Sequence, residues 1–254
     1  MFDALDSVTR ACYRSFLPLP NASLIDDGEV YGVRTAVPLG FFNGIATTRF
    51  RERERIDDVV DFYRPTGRAF RWWVTPDTRP ADLDQKLQDH GLTHAYDSLG
   101  MTADLAKLQS ARPTDLRIER VDDEAQMSVF TTVLTAVFDR PEDDRLAWLS
   151  AYRHLGFGED AQWVHYLGYL GDMPVATTSV MIDGDLAGIY LVGTLEAARG
   201  RGAGSALTLH AMQHARDRGA RTAALQSSEM GESVYRGIGF VPGPVLRLYD
   251  WRPK

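Results

Sequence analysis

The chain has 254 residues, enough for one large domain or two ordinary ones. With 44% hydrophobic and 25% charged residues it has the composition of an ordered globular protein rather than a disordered one. A net charge of -7 speaks against holding nucleic acid by general phosphate neutralisation, and a single cysteine, Cys12, excludes an intrachain disulfide or a thiolate metal cluster.

The first residues, Met1 to Asp6, lack the basic start and apolar run of a signal peptide, and no stretch reaches the length of a bilayer span. The expected location is the cytoplasm, with no membrane or nucleic-acid partner. Phe2 to Phe16 has helical periodicity and carries Cys12 as a small apolar residue. Val30 to Val37 and Gly44 to Phe50 alternate like strands. Ile56 to Phe62 reads as a helix with Val59, Val60 and Tyr63 on one face, stopped by Pro65-Thr66-Gly67. An aromatic strand, Phe70 to Val74, precedes a helix from Pro80 to His90 ended by Gly91.

Between Met101 and Arg117 an apolar pattern ends at Leu105, the polar stretch Gln109 to Pro113 follows, and a strand-like run begins at Leu116. This predicts a domain boundary, with units at 1–110 and 114–254. The second unit opens with a strand, Leu116 to Val121, and an acidic helix start, Asp122-Asp123-Glu124, suited to the positive end of a helix dipole. Strands at Trp163 to Tyr169 and Val175 to Ile182 flank a hairpin turn at Gly171 to Pro174, and a third runs from Leu186 to Thr194. A long helix from Gly204 to Arg218, a strand from Thr222 to Ser227, a short helix from Glu232 to Gly237 and a strand from Phe240 to Tyr249 complete the chain.

The informative stretch is the strand end Val192-Gly193-Thr194 and the run Arg199-Gly200-Arg201-Gly202-Ala203-Gly204-Ser205 that opens the long helix. A glycine-rich turn at a helix start converges backbone N–H groups on one point, where the helix dipole favours an anion. As a Walker loop it fails for want of the Lys-Ser/Thr pair, and as a dinucleotide fingerprint it fails because hairpins, not crossover helices, join the preceding strands. Downstream lie Ser228, Glu229, Tyr235, Gly239 and Phe240. Together the two stretches resemble the GNAT superfamily of N-acetyltransferases, whose pyrophosphate loop reads Arg/Gln-x-x-Gly-x-Gly/Ala and whose later helix carries a tyrosine before a Gly-Phe pair. Arg199, Gly202 and Gly204 match the first pattern; Tyr235, Gly239 and Phe240 match the second.

The resemblance implies an α/β (α+β) fold of two GNAT-like domains, each a mixed, mostly antiparallel sheet flanked by helices. In the first half, helix Ala81 to His90, Gly91-Leu92 and Met101 to Leu105 resemble a degenerate copy of the tyrosine-helix region. The implied reaction moves an acetyl group from acetyl-CoA to an amine of a small molecule or peptide. Val192, Gly193 and Thr194 would pair with the pantetheine arm, Gly200 to Ser205 would seat the pyrophosphate, and Arg199 and Arg201 would add charge. Ser228 stands where many members carry an asparagine facing the cofactor. Tyr235 would be the acid that protonates the departing thiolate. For the base, Glu229 and Glu232 are candidates, alongside a plain role as helix-start acids. His210 and His214 share a helix face at metal-ligand spacing, but no surrounding motif supports a metal, and none is expected. Phe41, Phe42, Asn43, Trp72 and Trp73 are candidate lining for an acceptor cleft, with at least one tryptophan expected in the core because adjacent strand residues face opposite sides. The alternative to transfer is a CoA-binding sensor. The acceptor, acyl chain preference and a homodimeric state stay open.

Overall fold

The computed structural model describes residues 2–51, 55–108 and 115–253. The first half holds α1 (Phe2–Arg14), β1 (Ser23–Asp26), β2 (Val30–Arg34), β3 (Gly44–Thr48), α2 (Ile56–Tyr63), β4 (Phe70–Val74), α3 (Leu83–Asp89) and β5 (Thr93–Asp104). The second holds β6 (Arg117–Arg120), α4 (Glu124–Val137), α5 (Glu142–Leu155), β7 (Trp163–Leu170), β8 (Met173–Asp183), β9 (Leu186–Thr194), α6 (Ala203–Asp217), β10 (Thr222–Ser227), α7 (Glu229–Gly237) and β11 (Val241–Trp251). The expected boundary stretch Gln109 to Pro113 lies outside the described residues. No helix among the described residues is long and apolar enough to cross a membrane.

The architecture is mixed α/β with helices on both faces, and the strands of both halves join in one eleven-stranded sheet, β1-β2-β3-β4-β11-β5-β10-β9-β8-β7-β6. The last strand of each half is paired inside the other. β5 runs antiparallel to β10 from Leu99↔Ser227 to Asp104↔Thr222, while β11 runs antiparallel to β4 from Phe70↔Trp251 to Val74↔Arg247. The order is therefore nearly palindromic about the β11–β5 seam. Even the two parallel contacts match, β3 with β4 on one side and β9 with β10 on the other. This is the structural form of the internal echo in the sequence.

Strand alternation sorts the side chains onto two faces. On one face α1, α4 and α5 cover a core holding Phe16, Phe42, Phe130, Tyr152 and Trp163. Phe16 and Trp163 stack at 5.8 Å, and the Trp163 indole donates to Ser15 Oγ at 2.8 Å, so the turn that follows α1 in the first half is bound to β7 of the second by packing and a buried hydrogen bond. On the other face α6, with Leu207 buried, packs in one core with Val180 and Leu225. There α2 and α3 pack over Phe70 and Trp72. The predicted apolar face of α2 is buried at Val59, Val60 and Tyr63. β1 and α5 have no counterpart among the predicted elements, and β5 begins eight residues before the expected Met101.

Candidate active site

Two strands that part company create the site. β9 and β10 pair in parallel only over Leu186↔Thr222, Ala187↔Ala223 and Gly188↔Ala224. Beyond Gly188 no further pairing joins them, so the backbone of Ile189 to Thr194 faces an opening rather than a neighbour. Within this stretch the β8–β9 register slips between Thr177 and Ser179, and Leu191 takes φ 55°. A leucine in the left-handed region is held there by its surroundings. Thr177 Oγ1 donates to the Leu191 carbonyl at 2.9 Å. Next to the bulge, Gly193 makes room for the end of α4: a Cβ there would stand 2.4 Å from Val137 Cγ1, so a larger residue requires that side chain to shift.

The strand ends at Thr194, whose carbonyl accepts from Arg199 Nε at 3.2 Å. Gly200 and Gly202 both sit at φ 77°, and a Cβ on either would meet nothing within 4 Å. Their conformation needs glycine, and the space in front of them is open. Gly202 is the N-cap of α6 without a side-chain cap, so the first-turn N–H groups of Ala203, Gly204 and Ser205 have no intrahelical partner. The helix start lies beside the strand, with Val192 Cγ1 3.9 Å from a Cβ built on Gly204. An open, uncapped helix start of this kind favours an anion. Arg199 is tethered to the strand end, whereas Arg201 forms an exposed ion pair with Asp115.

At the other side of the opening, α7 begins at Glu229, three residues before the expected Glu232. Ser228 is its N-cap, accepting from the Gly231 N–H at 3.3 Å. Gly231 lets the helix sit close to β10: a Cβ there would lie 2.8 Å from the Tyr235 ring and 3.1 Å from Ser227 Oγ. Tyr235 is half-buried, edge-on to Phe240 at 5.8 Å, and its hydroxyl takes no partner among the described residues. Burial pushes its pKa up to about 12, so it keeps its proton through the neutral range. Glu229 is exposed and makes no ion pair among the described residues, while Glu232 pairs with Arg236 at 2.7 Å along the helix. Replacing Ser228 with Ala removes the cap. The expected loss is about 1 kcal/mol, read as a melting temperature roughly 2–4 °C lower in thermal unfolding.

Tyr235, Glu229, Ser228 and Val192 line one cleft of about 1170 Å³. The glycine turn is not part of its lining; it stands past the end of β9. The opposite walls come from the first half and from α4–α5, including Tyr13, Phe41, Trp73, Tyr96, Phe138 and Trp148. Of the residues singled out as cleft lining, Phe41 and Trp73 are there. Phe42 and Trp72 are fully buried, the latter donating to Thr48 Oγ1 at 2.8 Å. Asn43 is also buried and serves the backbone, its amide donating to the carbonyls of Val37 and Leu39 at 2.8 and 3.0 Å. Strand alternation separates Trp72 from Trp73 as the sequence reading requires. Sequence reasoning missed Tyr190, Tyr96 and the arginines of the cleft.

His210 and His214 pack against Tyr166 at 4.7 and 6.1 Å, and burial pushes both down from the ordinary histidine value. His165 is fully buried, its Nδ1 2.7 Å from Ser179 Oγ, with its pKa driven down to about 3 by desolvation. Among the described residues no three His, Cys, Asp or Glu side chains form a metal-sized group.

A family model described as an acetyltransferase (GNAT) domain matches residues 101–230, half of the chain. No curated protein sequence matches. Among solved structures, a GCN5-related N-acetyltransferase from Kribbella flavida superposes with a TM-score of 0.75 at 17% identity, covering 97% of this chain and 95% of its own. A tandem GNAT protein from the clavulanic acid biosynthesis pathway does so with a TM-score of 0.58 at 12% identity, covering 100% and 96%.

Proposed function

The chain belongs to the GNAT acetyltransferase family, and within it we propose an N-acetyltransferase that moves the acetyl group of acetyl-CoA directly to the amine of a small molecule or peptide. The observation that carries this reading is the parting of β9 and β10 after Gly188, with the open strand edge between the glycine turn and Tyr235.

The co-substrate supplies an acyl group activated as a thioester. Its pantetheine amides fit the β9 edge left open toward β10 at Val192, Gly193 and Thr194, as an added strand would. Its diphosphate fits the N–H groups around Gly200, Arg201, Gly202, Ala203, Gly204 and Ser205, with Arg199 alongside. Ser228 borders the same opening, though its hydroxyl is engaged as a helix cap. The N–H groups at the Leu191 bulge are fixed donors for the negative charge that develops on the thioester oxygen. The amine nitrogen bonds to the carbonyl carbon, the carbon–sulfur bond breaks, and Tyr235 gives its proton to the leaving sulfur. The proton shed by the new amide nitrogen passes to Glu229 through water and so to solvent, while Tyr235 regains its own. The proposal includes a cytoplasmic setting, on the sequence features given above.

Thermal unfolding with and without acetyl-CoA tests the cofactor assignment. A ligand of the folded state at a hundredfold excess over its Kd stabilises by about 2.7 kcal/mol, an upward shift of several degrees. Absence of any shift at saturating acetyl-CoA sinks the assignment of Arg199 to Ser205.

A further inference from the structure

The cleft is polarised, and its far end holds more positive charge than it can pair. On β4, Arg71 and Trp73 share the face that looks into the cleft, and β11 brings Asp250 opposite Arg71. Arg71 Nε lies 3.3 Å from Asp250 Oδ1, but off the geometry of a hydrogen bond. Both atoms are shut from solvent and have no hydrogen-bond partner among the described residues. Arg252 approaches the same carboxylate at 3.7 Å. A third guanidinium, Arg68, donates only to the carbonyls of Ala36 and Thr66 and makes no ion pair among the described residues. Arg71 and Arg252 thus share one carboxylate while Arg68 lines the same cleft without an acidic partner among the described residues, in a partly dry setting where an unmatched charge is costly. Tyr96 stands close enough to sense both Arg71 and Asp250. At the reacting end the unpaired charge is of the opposite sign, Glu229. The remaining cleft charges are occupied, Asp97 by His94 at 2.7 Å and Asp144 by Arg140 at 2.5 Å. Between the two ends the walls are aromatic, with Tyr190 and Phe41 6.1 Å apart on one side and Trp73 and Tyr96 6.5 Å apart on the other.

The geometry points to an acceptor that carries a carboxylate remote from its reacting amine: the carboxylate is held by Arg68, Arg71 and Arg252, the apolar body lies between the aromatic walls, and the amine reaches Tyr235. The length follows from the sheet. β4 is three strand positions from β10, roughly 14 Å at about 4.8 Å per strand. A free amine and a carboxylate separated by two or three residues of extended chain, about 7–10 Å plus the reach of an arginine, span that gap. A short peptide with an aromatic residue and free termini has this chemistry. Arginine suits the task because its fork binds a carboxylate through two parallel hydrogen bonds. The inference rests on the transfer centre proposed above.

The test compares acetylation of phenylalanine-containing di- and tripeptides, each as the free acid and as the C-terminal amide, by CoA-thiol release at saturating acetyl-CoA. A panel of amines without a carboxylate, comprising a polyamine, an arylethylamine and an aminoglycoside, runs beside it. The free acids are expected to have a KM about tenfold or more below their amides, the effect of losing charge-assisted hydrogen bonds. Arg252→Ala and Arg68→Ala should each shrink that ratio while leaving the KM for acetyl-CoA unchanged. Amides that match the acids, or a carboxylate-free amine that outperforms every acid in kcat/KM, overturn the carboxylate assignment and leave amine acetylation standing. Acetyl-CoA stabilisation with no transfer to any amine overturns the proposed function and this inference together.

Discussion

Tyr235→Phe is expected to lower kcat by about a hundredfold or more while the thermal shift produced by acetyl-CoA is retained. The phenol and phenyl rings fill the same space against Phe240, and no residue depends on the hydroxyl for a hydrogen bond among those described, so the substitution removes a proton donor and little else. General acid catalysis by a positioned side chain contributes about 10²–10⁴-fold, and a departing thiolate is where that proton is used. The pH profile gives a second readout. Burial holds the Tyr235 pKa near 12, a shift upward, so the group stays in its acid form at every pH below that value. The wild-type rate should rise with pH as the acceptor amine loses its proton, and no falling limb from Tyr235 should appear below about pH 11. In the Phe variant the rising limb should survive at reduced height. A variant that keeps full activity would remove Tyr235 from the chemistry.

The second large effect is expected at Gly202. Its φ of 77° belongs to the left-handed region, and its Cβ would touch nothing in the protein. Gly202→Val therefore costs the fold on the order of 1–3 kcal/mol of backbone strain, without a clash. The added branches instead occupy the space before the first turn of α6, where the diphosphate is proposed to sit. The expected result is a protein that unfolds cooperatively at a somewhat lower temperature, shows no acetyl-CoA shift, and has a KM for acetyl-CoA raised at least tenfold. Isothermal titration reads the loss directly. An unchanged KM would mean that the glycine turn is only a helix entry.

Where the sequence was informative, one physical signal dominated at each position. The turn residues Gly171 to Pro174 marked off β7 and β8, two strands whose side chains are buried on both faces of the sheet. The glycine turn was legible because Gly200, Gly202 and Gly204 stand together in the chain. The start of α7 was misjudged. Met230 and Gly231 read as loop because glycine is a poor helix former, yet Gly231 lies within α7, where the Tyr235 ring and Ser227 Oγ leave no room for a Cβ. The helix α5 follows Asp139, which itself has φ 48°, and its mixture of acids, arginines and aromatics gives no clean period. The arginine end of the cleft could not be read at all. Arg68 lies just before β4, Arg71 on β4 and Arg252 beyond β11, and it is the exchange of β11 into the first half that brings Arg252 to their cleft. A single chain holds no local mark of that exchange. The faint echo between the halves became clear only as strand order.

That exchange also sets a timetable for biogenesis. β11 lies between β4 and β5, yet it follows β5 by roughly 140 residues. At about 5–20 residues per second a ribosome needs roughly 7–30 s to cover that interval. Throughout it, β4 and β5 cannot meet their native neighbour, and each presents an unsatisfied edge of the kind that templates aggregation. The nascent first half is thus an incomplete object that the cell must keep apart from its copies until the closing strand arrives.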